Sequence, residues 1–237
     1  MSRTPNGLPG PSARPSFDRQ LAALQGAVLT LGEMVGKAIY RAADALERRN
    51  VTVARRVVRE DGAINRHRAD VEADTLQLLG RQQPAASDLR LAVAALHIST
   101  DLERMGDHAR NVGRYVLALA AAGGPPLTAP AEVLAMAALD RERLDATLAA
   151  LRARDGAAAR EIAGRDAETD ALQDTAYRSL LRSMQAEPAG VLQATLLLRA
   201  AYAFERIGDR VTNICERVIY IDTGRLEELN LFPGDRL

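Results

Sequence analysis

Leu102-Glu103-Arg104-Met105-Gly106-Asp107-His108-Ala109-Arg110-Asn111 returns 102 positions later as Phe204-Glu205-Arg206-Ile207-Gly208-Asp209-Arg210-Val211-Thr212-Asn213. An internal repeat of this strength predicts that one structural unit occurs twice. Upstream, Asp61 and Asn65 fall opposite Asp166 and Asp170 at an offset of 105, as does the turn Asn50-Val51 opposite Asp155-Gly156. The difference of three residues is absorbed in the shorter turn at Pro188. Short connections force neighbouring helices to run antiparallel, so the duplicated unit reads as a three-helix bundle. The fold class is all-α, two tandem three-helix bundles.

Proline marks the ends of the helices, because inside one it removes a hydrogen bond and clashes with the preceding turn. Four of the ten prolines stand at 5, 9, 11 and 15, in a Gly/Ser/Pro-rich leader with no apolar core, which is therefore no signal peptide. The others fall at 84, 125, 126, 130, 188 and 233, and leave long intervals between them. Within those intervals apolar residues recur at helical spacing, as in Leu21, Leu24, Val28, Leu31, Val35 and Ile39. Six long helices are predicted, over 17–49, 51–82, 85–121, 130–154, 157–186 and 189–222. Grouped in threes, they give a disordered leader at 1–16, a first bundle at 17–124, a second at 125–224 and a tail at 225–237.

Composition agrees with packed helices and removes several partners. Hydrophobic residues make up 47% of the 237 and aromatics only 3%, with no tryptophan, while alanine, leucine and arginine abound. Thirty-one basic side chains balance thirty-one acidic ones, so no excess positive field draws nucleic acid or an anionic bilayer. No stretch reaches the ~20 apolar residues of a membrane span. The lone Cys215 allows no internal disulfide and suits a reducing, cytoplasmic setting.

The candidate site is the repeated stripe itself. Residues four apart lie one turn above each other on a helix, so Glu103 and Asp107, and again Glu205 and Asp209, align as oxygen ligands, with Asn111 and Asn213 extending each line. The preceding helix adds Asp61 and Asn65 with Glu72 in the first bundle, and Asp166, Asp170 and Asp174 in the second. Carboxylates so gathered repel and call for a cation. Mg²⁺, Mn²⁺, iron or Zn²⁺ suits such donors, singly or as a cluster. The competing reading is plain ion pairing with arginines such as Arg104 and Arg206. Gly106 and Gly208 recur beside the stripe, where they serve close helix approach.

Enzymatic readings find little support. No Glu is followed by His at the third position, as a ferritin-like di-iron centre requires. Phosphate-loop, nucleophile-elbow and His-Glu-x-x-His motifs are absent, and Gly36-Lys37 is an incomplete phosphate loop in mid-helix. His67, His97 and His108 are scattered, and Cys215 sits at a core register. A binding and signalling protein follows; the alternative is a metal-dependent hydrolase acting on phosphate compounds, with clustered ions activating water.

The stretch Leu78-Leu79-Gly80-Arg81-Gln82-Gln83-Pro84-Ala85-Ala86-Ser87-Asp88-Leu89-Arg90 resembles the turn between the second and third helices of the PhoU family. The family's two acidic motifs correspond to Glu103 with Asp107 and Glu205 with Asp209, and its closing segment to Ile214-Cys215-Glu216-Arg217-Val218-Ile219-Tyr220. Asp61-Gly62-Ala63-Ile64-Asn65 also fits, so the resemblance spans about residues 16 to 224. It implies two similar three-helix bundles and a non-enzymatic cytoplasmic regulator of phosphate uptake. Such a protein restrains the phosphate-starvation response when phosphate is plentiful. The implied partners are the phosphate ABC transporter, the phosphate-sensing histidine kinase and a second copy of the chain, and the acidic motifs are implied to hold metal clusters. Arg68 and Gly36 stand where the family usually carries acids, which implies fewer donors in the first bundle.

Overall fold

The computed structural model of the chain describes residues 14–81, 84–123 and 126–229. Among these there is no strand. Helices α1 (Arg14–Arg48), α2 (Val51–Arg81) and α3 (Ala86–Ala121) form the first bundle. Helices α4 (Ala131–Ala153), α5 (Gly156–Ala163), α6 (Asp166–Ala186) and α7 (Val191–Thr223) form the second. Of the leader expected over 1–16, residues 1–13 lie outside the described ones, and α1 already runs from Arg14. Residues 230–237 of the expected tail also lie outside; the part before them folds back, with Glu227 paired to Arg160 of α5 at 2.8 Å and Leu229 donating its N–H to Glu216 at 2.7 Å.

The fifth helix, expected unbroken over 157–186, is instead two helices, α5 and α6. At the junction the Arg165 N–H turns back to Ile162 O (3.2 Å), a tighter bond than an α-helix makes. Gly164 is a weak helix former, so the ladder yields there at little cost. The break makes Asp166 the first residue of α6, where the unpaired N–H groups favour a carboxylate.

The first turn of each bundle is built by one device used twice. Arg49 (φ 50°) and Arg154 (φ 56°) end α1 and α4 in the left-handed region. The next residue, Asn50 or Asp155, then caps the following helix, accepting from Val53 N–H at 3.1 Å and from Ala158 N–H at 2.9 Å respectively. Each cap satisfies an amide that the helix start leaves unpaired.

Apolar faces then meet. Leu24, Leu31, Val35, Ile39, Ile98, Leu102 and Met105 fill the first bundle, Met136, Leu144, Leu197, Phe204, Ile207 and Ile214 the second, and the two fillings are continuous. The bundles join along α3 against α7 and α1 against α4. Leu148 of α4 sits where a side chain on Gly32 would begin, 2.5 Å from that position. Gln193 of α7, buried, ties the joint: its amide donates to Gly123 O (2.9 Å) and accepts from Leu127 N–H (2.9 Å) and Arg49 Nη2 (3.0 Å). No helix among the described residues is long and apolar enough to cross a membrane.

Candidate functional site: two unequal acidic grooves

Gly106 and Gly208 let α2 and α6 come close to the acidic stripes. A methyl group on Gly106 would lie 3.1 Å from Ile64 Cδ1, and one on Gly208 would lie 3.0 Å from Asp140 Oδ1 and 3.3 Å from Thr169 Cγ2. The close approach brings Asp61 to the face of Glu103 and Asp107, and Asp166 with Asp170 to that of Glu205 and Asp209.

In the first groove a guanidinium takes the central place. Arg110 Nη1 lies 2.7 Å from Asp61 Oδ2 and 2.6 Å from Asp107 Oδ1, while Arg68 pairs with Glu72 at 2.9 Å. Asp61 is buried, and its Oδ1 and that of Asn65 have no hydrogen-bond partner. Burial, with Asp107 nearby, raises the Glu103 carboxyl from its ordinary value, although Arg68 opposes.

The second groove is balanced from below. Arg143 of α4 is fully buried; its guanidinium pairs with Asp166 Oδ1 at 2.9 Å and donates to Thr212 Oγ1 (3.0 Å) and Thr169 Oγ1 (3.3 Å). Thr169 donates onward to Asp140 Oδ1 at 3.1 Å. Burial pushes the Asp140 carboxyl well above the usual carboxylate range, against the pull of Arg143 and the Thr169 hydroxyl. Thr147 hydrogen-bonds the Cys215 thiol (3.3 Å), itself raised to about 11 by burial.

On the groove side an ion pair runs along α7 itself. Arg206 pairs with Asp209 at 2.7 Å along α7, but Glu205 Oε2 is buried without a partner. Burial and the Asp209 charge raise the Glu205 carboxyl to about 7. Partial desolvation, then Asp166 and Asp209, also raise Asp170.

The asparagines leave the line. Eight residues on a 3.6-residue turn bring Asn213 about 80° round from Glu205, to where it opposes the rise that burial gives the pKa of Asp101 of α3, which pairs with Arg210 across the joint at 3.3 Å. Asn111 is half-buried. His108 sits under the charge of Arg210 and Arg206 of α7; burial first, then those charges, lower its pKa. His67 meets Ala27 O at 2.9 Å between α1 and α2, and His97 is exposed.

A divalent cation fits the two grooves differently. As the side chains lie, no three His, Cys, Asp or Glu among the described residues converge to hold an ion. In the first groove Arg110 occupies the position between Asp61 and Asp107, so the residues present do not fit one. In the second, the donor chemistry of Glu205, Asp209, Asp166 and Asp170 suits a hard cation, and the partnerless Glu205 oxygen offers it a donor.

Asp140 and Arg143 escaped the sequence reading, because the run Leu139-Asp140-Arg141-Glu142-Arg143 resembles a solvated face. A signal was present. Val133, Met136, Asp140, Arg143, Thr147 and Leu151 keep the three-and-four spacing of one buried stripe.

Fold and site define an all-helical tandem protein, two like bundles that each carry an acidic groove between their last two long helices. A family model described as the PhoU domain matches residues 28–116 and again 133–218. The chain belongs to the PhoU family. It is 33% identical over 218 residues to the phosphate-specific transport system accessory protein PhoU homolog of Clostridium acetobutylicum, spanning 92% of this chain and 99% of the relative. A Caulobacter vibrioides protein of the same description is 35% identical over 214 residues, spanning 90% and 92%. Among solved structures, PhoU from Pseudomonas aeruginosa matches with a TM-score of 0.83 and 31% identity over 88% of this chain and all of that one. The phosphate transport system regulatory protein PhoU from Streptococcus pneumoniae matches with 0.83 and 28% over 90% and 99%.

Proposed function

We propose that this chain is a regulator of phosphate uptake and phosphate homeostasis, an accessory to the phosphate ABC transporter. In this reading it holds down the phosphate-starvation response in phosphate-replete cells. It does so in the cytoplasm, as a dimer, by connecting the transporter with the phosphate-sensing histidine kinase. The observation that carries the reading is the extent of the likeness: both repeats match the family, and relatives described as phosphate-transport accessory proteins align over nine-tenths or more of their length. The second groove adds a site. Glu205, Asp209, Asp166 and Asp170 would hold a divalent cation or iron there, which would supply positive charge to screen the four carboxylates. Relatives described as accessory and regulatory proteins support a non-enzymatic role.

The test is an alkaline phosphatase reporter of phosphate starvation in the source organism, with the gene deleted and phosphate in excess. High reporter activity, returned to low by the intact gene, is the expected outcome. A reporter unmoved by deletion, in a strain with no second copy of the family, overturns the reading. The metal site is tested separately: Glu205→Gln with Asp209→Asn lowers Mn²⁺ retained by the folded chain.

A further inference from the structure

Both grooves carry a resident guanidinium, but from opposite sides. Arg143 rises from the core to Asp166, below the second groove, and Glu205 Oε2 keeps no partner. Arg110 comes from the same helix as Glu103 and Asp107 and lies between Asp61 and Asp107, at 2.7 and 2.6 Å. The residue in the register of Arg110 in the second bundle is Thr212, a short side chain turned into the core toward Arg143. We propose that Arg110 is a tethered cation that closes the first groove to metal ions, so that the two halves of the molecule take up divalent cations unequally.

Three observations support this. An ion bridging Asp61 Oδ2 and Asp107 Oδ1 would need the place that Arg110 Nη1 holds, so the two exclude one another. The guanidinium competes as a tethered group, at an effective concentration in the millimolar range or above, and no accessible pH removes its charge. Finally, Asp61 is more than nine-tenths buried, and its Oδ1 lacks a partner, as does the buried Oδ1 of Asn65. Removing the guanidinium therefore leaves Asp61 and Asp107 without the cation that bridges them. The inference shares its metal with the site proposed for the second groove, yet rests on the first groove alone.

The experiment is equilibrium dialysis of the purified full chain against Mn²⁺, with bound metal counted by elemental analysis. Asp61→Asn in the otherwise intact chain is expected to leave bound Mn²⁺ unchanged. Arg110→Gln is expected to gain about one equivalent per chain, as a new oxygen site for a hard cation. That gain is lost again in Arg110→Gln with Asp61→Asn, and absent in Arg110→Lys. Loss of Mn²⁺ from the Asp61→Asn chain overturns the proposal, and so does a folded Arg110→Gln chain that gains none. Should Arg110→Gln fail to fold, the Asp61→Asn arm decides. An intact chain that binds no Mn²⁺ while Arg110→Gln does would sink the second-groove site and the unequal uptake, and would support only the closing of the first groove by Arg110.

Discussion

The two bundles share turn device and acidic stripe, yet they differ in what lies beneath the stripe. Under the first groove the first helix presents Val35, Ala38 and Ala42, and Ile64 packs on Gly106. In the same registers the second bundle has Asp140, Arg143 and Thr147, with Thr169 on Gly208. One half is therefore closed by an apolar core and neutralised at the groove by Arg110; the other contains a polar core and is left electronegative at the groove. A duplicated fold keeps its backbone geometry while the source of its balancing charge changes from helix to helix.

The largest expected effect breaks the polar core. Arg143→Met leaves Asp166 without its buried partner, and loss of one member of such a pair costs ~3–5 kcal/mol. Urea denaturation measures it. Arg110→Gln, at a side chain 23% exposed to water, is expected to cost less. If Arg143→Met costs no more than Arg110→Gln, the buried network does not hold the second half together.

An intermediate effect follows from Glu205. Its carboxyl titrates near 7 in the fold against an ordinary 4.5, so between those values the folded chain binds the extra proton. Stability must therefore fall as pH rises from about 4.5 to about 7. Glu205→Gln should match the parent near pH 4 and exceed it at pH 8 by roughly 1–2 kcal/mol, allowing for solvent screening of a half-buried group. Thermal unfolding at both pH values checks the sign, and Glu103→Gln, in the groove that Arg110 balances, is expected to move less. A pH-independent difference between Glu205→Gln and the parent would show that folding leaves the titration of this carboxyl where the unfolded chain has it.

The smallest effect sharpens the likeness instead of the difference. Asn50→Ala and Asp155→Ala remove the same cap from equivalent turns, at ~1 kcal/mol each. Chemical denaturation should find the two losses alike and additive, since the turns share no partner. Unequal losses would mean that Arg49, bonded across to Gln193, makes the first turn part of the joint between bundles.

Much of this was legible in the linear chain. The stripes of Glu103 with Asp107 and Glu205 with Asp209 announce both the helix period and the duplication, because a four-residue spacing has meaning only on a helix. The joint at Gly164 was not legible, since one glycine in a helical run is usually tolerated. Asn213 looked like a third member of its stripe, but the eight-residue drift carries it round to Asp101 of the other bundle.

By itself the sequence determined the all-helical class, the two units and the family, because periodicity, turn residues and internal repetition are local properties of a chain. Tertiary structure alone decided which carboxylate meets which cation. Asp61 and Arg110 lie on different helices, as do Asp166 and Arg143, and their pairing depends on how closely α2 and α6 can approach the glycines at 106 and 208. Side-chain pairing across helices depends on distances of a few ångströms that no spacing along one helix encodes.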